Sequence, residues 1–161
     1  MNKILFVIFI LFALSACSTT YTARDLEKKG NANLPMSFEK YWGKLTISKI
    51  KRIAFDKKKK RVYISLAGKV KLPLMPEKNC DKMQISLQPY LFKKEFRIKG
   101  FNAEGIDCLV SESIDTFILN LLKDVFMEDD IKIFTLSGIQ SWLVDDVVIE
   151  EEGIVIKLSL F

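Results

Sequence analysis

The fold of this chain is decided by the stretch Met83–Ala103, which reads MQISLQPYLFKKEFRIKGFNA. Apolar and polar residues alternate on both sides of a central lysine pair, which is the pattern of two strands that each bury one face. The alternation changes parity at Pro89 in the first strand and near Gly100 in the second. With a turn centred near Lys94, these two positions lie almost opposite one another. The pattern therefore predicts a hairpin with one shared bend or bulge.

The same register brings Cys80 opposite Cys108. The chain has three cysteines, and the third, Cys17, belongs to an N-terminal segment that indicates export. An even pair of cysteines in an oxidising compartment favours a disulfide. The alternative is a pair of buried free thiols.

A second hairpin is predicted upstream, over Tyr41–Leu74, because apolar residues alternate with polar ones on both sides of a lysine-rich turn. In an up-and-down meander this turn and the one near Lys94 lie at the same end, with the cysteine pair at the other. Two interpretations of the basic tips are open: solvated turns, or contacts with anionic headgroups or an acidic partner. The tip residues are Lys57, Lys58, Lys59, Lys60, Arg61, Lys93 and Lys94.

Downstream, over Ser111–Met127, the apolar period becomes that of an amphipathic helix. An apolar stripe on such a helix either packs in an ordinary core or forms one wall of a ligand groove. Strands return after it, over Ile131–Leu136 and in a closing hairpin with Gly153 in the turn. The stripe consists of Ile114, Phe117, Ile118, Leu121, Leu122, Val125 and Phe126.

A short helix is also expected at the start of the domain, where Thr22 and Asp25 have the spacing of a capping box and Gly30 follows the last turn. A loop follows this helix. Strands, one long amphipathic helix and strands again predict a single α+β domain over residues 22–161, with an antiparallel sheet folded over that helix.

The N-terminus has a positive head, Met1–Lys3, and an apolar run, Ile4–Leu14, that is too short to span a bilayer. This layout is typical of a secretory signal. The run ends in Leu14–Cys17, which resembles the bacterial lipobox, where diacylglycerol is attached to the cysteine before cleavage. An ordinary signal peptide with a chance cysteine is the alternative. We expect residues 1–16 to be removed, and residues 17–21 to form a lipidated cysteine and a short tether.

Composition excludes several classes of function. The net charge is +5, and the chain contains no histidine, which removes Ser-His-Asp and Cys-His catalysis and the commonest transition-metal ligand. We find no phosphate-binding glycine loop and no CxxC pair. The lysines cluster at turns without interleaved aromatic residues, so nucleic acid is not expected as a partner. The sequence thus predicts no enzyme, no metal site and no cofactor.

The order of these parts resembles the YceB-like lipoproteins, a Gram-negative envelope family related in fold to the TULIP lipid-binding superfamily. The resemblance implies a highly curved antiparallel sheet wrapped around one long helix, a TULIP-like half-barrel, with a groove that accepts acyl chains in some members. It implies no catalytic residues. The matching features are Leu14–Cys17, Tyr21-Thr22 with Asp25-Leu26, Pro89–Leu91, Ser111–Met127 and Val147–Leu160.

Two functions are open at this point. The first is binding of a lipid, a fatty acid or another apolar ligand between sheet and helix. The second is an envelope adaptor with a closed core that binds a protein partner through the basic tips and aromatic residues such as Tyr41 and Trp42. In either case the lipid anchor attaches the protein to a membrane. In the enteric lipoproteins that this N-terminus resembles, a residue other than Asp after the cysteine directs the protein to the outer membrane. The resemblance therefore implies that Ser18 sends this protein to the periplasmic leaflet of the outer membrane.

Overall fold

The computed structural model describes residues 20–40, 43–108, 115–120, 130–135 and 144–158. Two helices lie in this part of the chain: α1, Ala23–Asn31, and α2, 115–120. The strands are β1 Thr20–Thr22, β2 Met36–Lys40, β3 Gly43–Asp56, β4 Arg61–Lys71, β5 Lys78–Phe92, β6 Glu95–Asp107, β7 Asp130–Thr135, β8 Val144–Ile149 and β9 Gly153–Leu158.

The strands form two antiparallel sheets. The larger is a six-stranded meander in the order β2-β3-β4-β5-β6-β7, and the smaller has the order β1-β9-β8. Because neighbours in the meander are consecutive in sequence, alternate turns lie at the same end. We call the end with the turns at 57–60 and 93–94 the lysine end. The other end, with the β4–β5 loop and Cys80–Cys108, is the disulfide end.

The fold class predicted from the sequence, α+β, is wrong. The described residues are mostly antiparallel strand in a curled half-barrel, not a sheet wrapped around one long helix. In this part of the chain α1 is longer than α2, and the remainder of the predicted helix 111–127 lies outside the described residues. The sequence predicts that the apolar stripe of the helix forms the centre of the core. In the structure, the alternating strands themselves supply most of the buried residues.

Both predicted central hairpins are present. Phe92 pairs with Glu95 around a two-residue turn, and both turn lysines have positive φ angles, 48° at Lys93 and 63° at Lys94. Such a turn matches the right-handed twist of the strands but normally takes Asn and Gly. The predicted bulge is present near Gly100, whose φ is 59° and where the register with β5 shifts.

The capping box at the start of α1 is confirmed. The Thr22 hydroxyl accepts from the Asp25 N–H, and the Asp25 carboxylate accepts from the Thr22 N–H at 3.2 Å. The helix then covers the part of the β3 edge that β2 leaves open. The Asn31 amide bonds both backbone groups of Ile50, and Glu27 accepts from the N–H of Ile53 at 2.7 Å. These bonds satisfy an edge that would otherwise be open to pairing.

Two strands were not predicted. Thr20–Thr22 had been assigned in part to the tether, yet it pairs with β9 and places Tyr21 in the core. Met36–Lys40 had been assigned to a loop and forms the first strand of the meander. Gly153 opens β9 beside Tyr21, where an added Cβ would collide with the Tyr21 carbonyl. Strands this short give little period-2 signal in the sequence.

One hydrophobic core joins both sheets and both helices. Its largest contribution comes from the inward faces of β3, β4 and β5. The predicted alternation is confirmed in β4 and over Met83–Leu87 of β5, whereas two register shifts in β3 place the buried residues Ile47, Ile50 and Ile53 three apart. The buried residues are Tyr21, Leu26, Leu45, Ile47, Ile50, Ile53, Val62, Ile64, Leu66, Val70, Leu72, Cys80, Met83, Ile85, Leu87, Phe96, Ile98, Cys108, Ile118, Val147, Ile149 and Ile154.

Candidate functional site

The predicted groove wall is described at two of its residues, both on α2. Ile118 is 0% exposed and belongs to the core. Phe117 is partly buried and packs against that core, and an added Cβ at Gly43 would collide with its ring and approach Leu72. Gly43 therefore makes room for the aromatic ring at the disulfide end. Ile114, Leu121, Leu122, Val125 and Phe126 lie outside the described residues.

The predicted disulfide is present, between Cys80 at the start of β5 and Cys108 just after β6. Both cysteines are buried. The N–H of Cys108 also donates to the Asp115 carboxylate at 3.2 Å, which ties the first residue of α2 to the disulfide. A covalent bond and a hydrogen bond thus hold α2 against the disulfide end.

The lysine end is closed differently, by strand β8. Lys94 Nζ donates to the carbonyl of Val144 at 2.9 Å, at the beginning of β8. Lys57 Nζ lies 2.5 Å from the Glu150 carboxylate, just after the end of β8. Strand β8 therefore runs from the turn at Lys94 to the turn at Lys57, and the smaller sheet covers this end. Two of the predicted basic-tip residues act within the protein.

Arg61 is also directed inward. Its guanidinium donates to the hydroxyl of Ser86 at 2.7 and 3.0 Å, and to the carbonyl of Gly100. Ser86 is fully buried, and Gly100 lies in the β6 bulge. Arg61 thereby satisfies a buried hydroxyl and a carbonyl where the β5–β6 pairing is irregular.

The remaining tip lysines face solvent. Within the described part of the chain, the ammonium groups of Lys58, Lys59 and Lys60 have no hydrogen-bond or ion-pair partner, and that of Lys93 lies 5.3 Å from the centroid of the Phe92 ring. Acidic residues share this end with the predicted basic tips. The exposed acidic residues there are Asp145, Asp146, Glu151 and Glu152.

The pKa values of Asp25 and Lys57 are shifted by hydrogen bonds and by a neighbouring charge. Hydrogen bonds from the Thr22 hydroxyl and backbone N–H hold the pKa of Asp25 below its ordinary value. The hydrogen bond and charge of Glu150 raise the pKa of Lys57. Both groups are exposed, so each shift reflects a local contact and not burial.

Sequence reasoning missed one surface feature, the loop 72–77 between β4 and β5, which we call the Leu74 loop. Leu74 is 106% exposed, with a φ of 63°, and Met75 is 41% exposed. The left-handed region costs a leucine about 1–2 kcal/mol. The signal available in the sequence is the apolar pair Leu74-Met75 between Pro73 and Pro76.

No group of three or more His, Cys, Asp or Glu residues is placed to hold a metal ion in the described ranges. Among the same residues, no helix has the length and apolar character needed to cross a membrane.

Comparison with known proteins identifies the N-terminal segment. Residues 1–18 match the family described as the prokaryotic membrane lipoprotein lipid attachment site, and this segment contains one cysteine, Cys17. The chain is therefore a membrane-anchored lipoprotein of the cell envelope. No curated protein matches the chain. The match does not extend to the domain, so it supports neither the YceB-like nor the TULIP assignment.

Proposed function

We propose that this lipoprotein is an envelope adaptor, a domain with a closed interior that acts by binding a protein partner at its surface. The packing of α2 carries the proposal. Ile118, in the predicted groove wall, has no exposed surface, and the ring of Phe117 fills the space above Gly43. Side chains packed in this way supply core contacts, as a domain with a closed interior requires.

The mode of attachment supports the same function. We propose that residues 1–16 are removed and that Cys17 carries the lipid. Only Ser18 and Thr19 then separate the anchor from β1. Three residues of chain reach about 10 Å, so the domain stays close to its membrane. Two or three acyl chains make such attachment nearly permanent, because each buried methylene contributes about 0.8 kcal/mol.

The membrane in question is proposed to be the outer membrane, with the domain on its periplasmic leaflet. Ser18 occupies the position after the lipidated cysteine. Fractionation of the native lipoprotein and of a Ser18→Asp variant tests this assignment. The native protein should be found in the outer-membrane fraction, and recovery of it in the inner-membrane fraction would contradict the proposal.

The adaptor proposal assigns no chemical step to the domain and no ligand to its interior. It is tested by purifying the lipidated protein from membranes, exchanging the detergent and identifying non-covalent lipid by mass spectrometry. Only the covalent anchor should remain. One phospholipid or fatty acid retained per protein would favour the rival function, binding of an apolar ligand.

A further inference from the structure

The Leu74 loop presents two apolar side chains in a turn that holds them away from the protein. The N–H of Met75 donates to the carbonyl of Leu72 at 3.3 Å, with Pro73 second and Leu74 third in the turn. The third position of such a turn, with its positive φ, ordinarily takes Gly or Asn. A leucine there projects its whole side chain into solvent in a backbone conformation that disfavours it.

The loop is also held firmly at its base. Leu72 is buried in the core, and Val70 pairs with Lys78 across the foot of the loop. Cys80, two residues further on, forms the disulfide. A surface that is already ordered loses little conformational entropy when a partner binds.

Two exposed lysines, Lys71 and Lys78, flank this apolar tip. Neighbouring lysines are neutralised, since Lys69 lies 2.9 Å from Glu77 and Lys44 lies 2.9 Å from Glu39. Lys71 and Lys78 are both exposed, and within the described residues neither has a carboxylate partner. The tip therefore combines an apolar centre with positive charge at its rim, which complements an apolar pocket edged by carboxylates.

The position of the loop relative to the anchor favours a protein over the membrane. Thr20 is in the smaller sheet, which closes the lysine end, and Cys17 precedes it by three residues. The eleven residues of β4 separate that end from the Leu74 loop, a distance of about 35 Å at 3.3 Å per residue. Strand β1, which follows the anchor in the sequence, and the apolar tip thus lie at opposite ends of the domain.

We propose that the Leu74 loop is the docking point for the protein partner, and that Leu74 and Met75 enter an apolar pocket whose rim carries carboxylates. This inference rests on the adaptor function proposed above and specifies its surface. Lys71 and Lys78 supply the charge that orients the partner, and Leu74 supplies the buried anchor of the interface.

The test uses the full lipoprotein in intact cells, with a photoreactive residue in place of Met75. Irradiation should give one discrete protein adduct. Lys71→Glu with Lys78→Glu should lower its yield about tenfold or more, as expected when a charged rim loses its complement. Lys58→Glu with Lys59→Glu, the matched change at the lysine end, should leave the yield unchanged. Intact Cys80–Cys108 and unaltered melting show that each variant is folded.

Other outcomes overturn the inference in distinguishable ways. A phospholipid adduct at residue 75 would mean that the loop inserts into a membrane. Protein adducts from a probe at exposed Gln84, with none at 75, would place the partner elsewhere and leave the adaptor function standing. No protein adduct at either position, together with one lipid retained per purified protein, would contradict the adaptor function itself.

Discussion

The two ends of the half-barrel are closed by different kinds of contact. At the lysine end, β8 buries Val147 and Ile149 in the core, and its two ends are bonded to the turns by the Lys57–Glu150 ion pair and by the bond from Lys94 to a backbone carbonyl. At the disulfide end, the Cys80–Cys108 bond and the apolar packing of α2 close the half-barrel. Surface ion pairs contribute little to stability, whereas disulfides and buried side chains contribute several kcal/mol. The end that carries the covalent bond is also the one that exposes the Leu74 loop.

The largest effect should come from the buried residue of α2. Ile118→Ala should lower the free energy of unfolding by about 4 kcal/mol, because it deletes three carbons from a fully buried site. Chemical denaturation measures this loss. The exposed control on the same helix, Asn120→Ala, should change stability by less than about 0.5 kcal/mol. A loss below about 1 kcal/mol at Ile118 would mean that this end is open.

The disulfide should come next. Replacing Cys80 and Cys108 together by serine should lower the free energy of unfolding by about 3 kcal/mol, since the bond closes a loop with a sequence separation of 28. Denaturation with and without a reductant measures this. Reduction should destabilise the native protein by a similar amount and leave the double variant unaffected. Equal stability of the oxidised native protein and the double variant would mean that the disulfide does not stabilise this end of the half-barrel.

The Leu74 loop should respond in the opposite direction. Leu74→Gly should raise the free energy of unfolding by about 1 kcal/mol, because glycine adopts a positive φ without steric cost. The matched change at Met75, whose φ is negative, should give no gain. Thermal unfolding compares the two variants. A gain in stability with loss of the cross-linked partner would show that the leucine is retained for binding. A loss of stability would indicate that its side chain contributes to the fold.

The smallest effect should be at the lysine end. Lys57→Ala removes an exposed ion pair, so its destabilisation should be slight and should disappear in high salt. Because Glu150 raises the pKa of Lys57, the contact stabilises fully below the ordinary lysine pKa and is lost as the pH rises through the raised value. Unfolding measured from neutral to strongly alkaline pH, against a Lys58→Ala control, tests this. A loss of stability that does not depend on salt would mean that Lys57 contributes more than a surface ion pair to the lysine end.

The hairpins and the disulfide could be predicted because the information is local. Strict alternation identifies buried strand faces, and one turn near Lys94 fixes the register that places Cys80 near Cys108. The smaller sheet could not be predicted in the same way. It depends on β1 pairing with β9 across most of the chain, as in Thr22 with Gly153. Pairings between three-residue segments so far apart leave no periodic signal in a sequence.

The site was predicted only in part, for a related reason. Charge clusters can be read from a sequence, but the direction of each side chain cannot. Arg61 appeared to belong to a solvent-exposed tip, whereas it bonds buried Ser86. Leu74 was expected only as the end of the predicted hairpin, whereas its backbone conformation directs the whole side chain into solvent. Both outcomes depend on the bulges and turns of the folded sheet.

We propose that α2 belongs to a closed core and does not move to admit a ligand. Hydrogen exchange of the native lipoprotein, with and without added phospholipid or fatty acid, tests it most directly. We predict that amides in 117–120 exchange as slowly as those of Val62 to Leu66 in β4, and that lipid leaves both rates unchanged. Rapid exchange in α2 that slows when lipid is added would mean that α2 moves to admit a ligand.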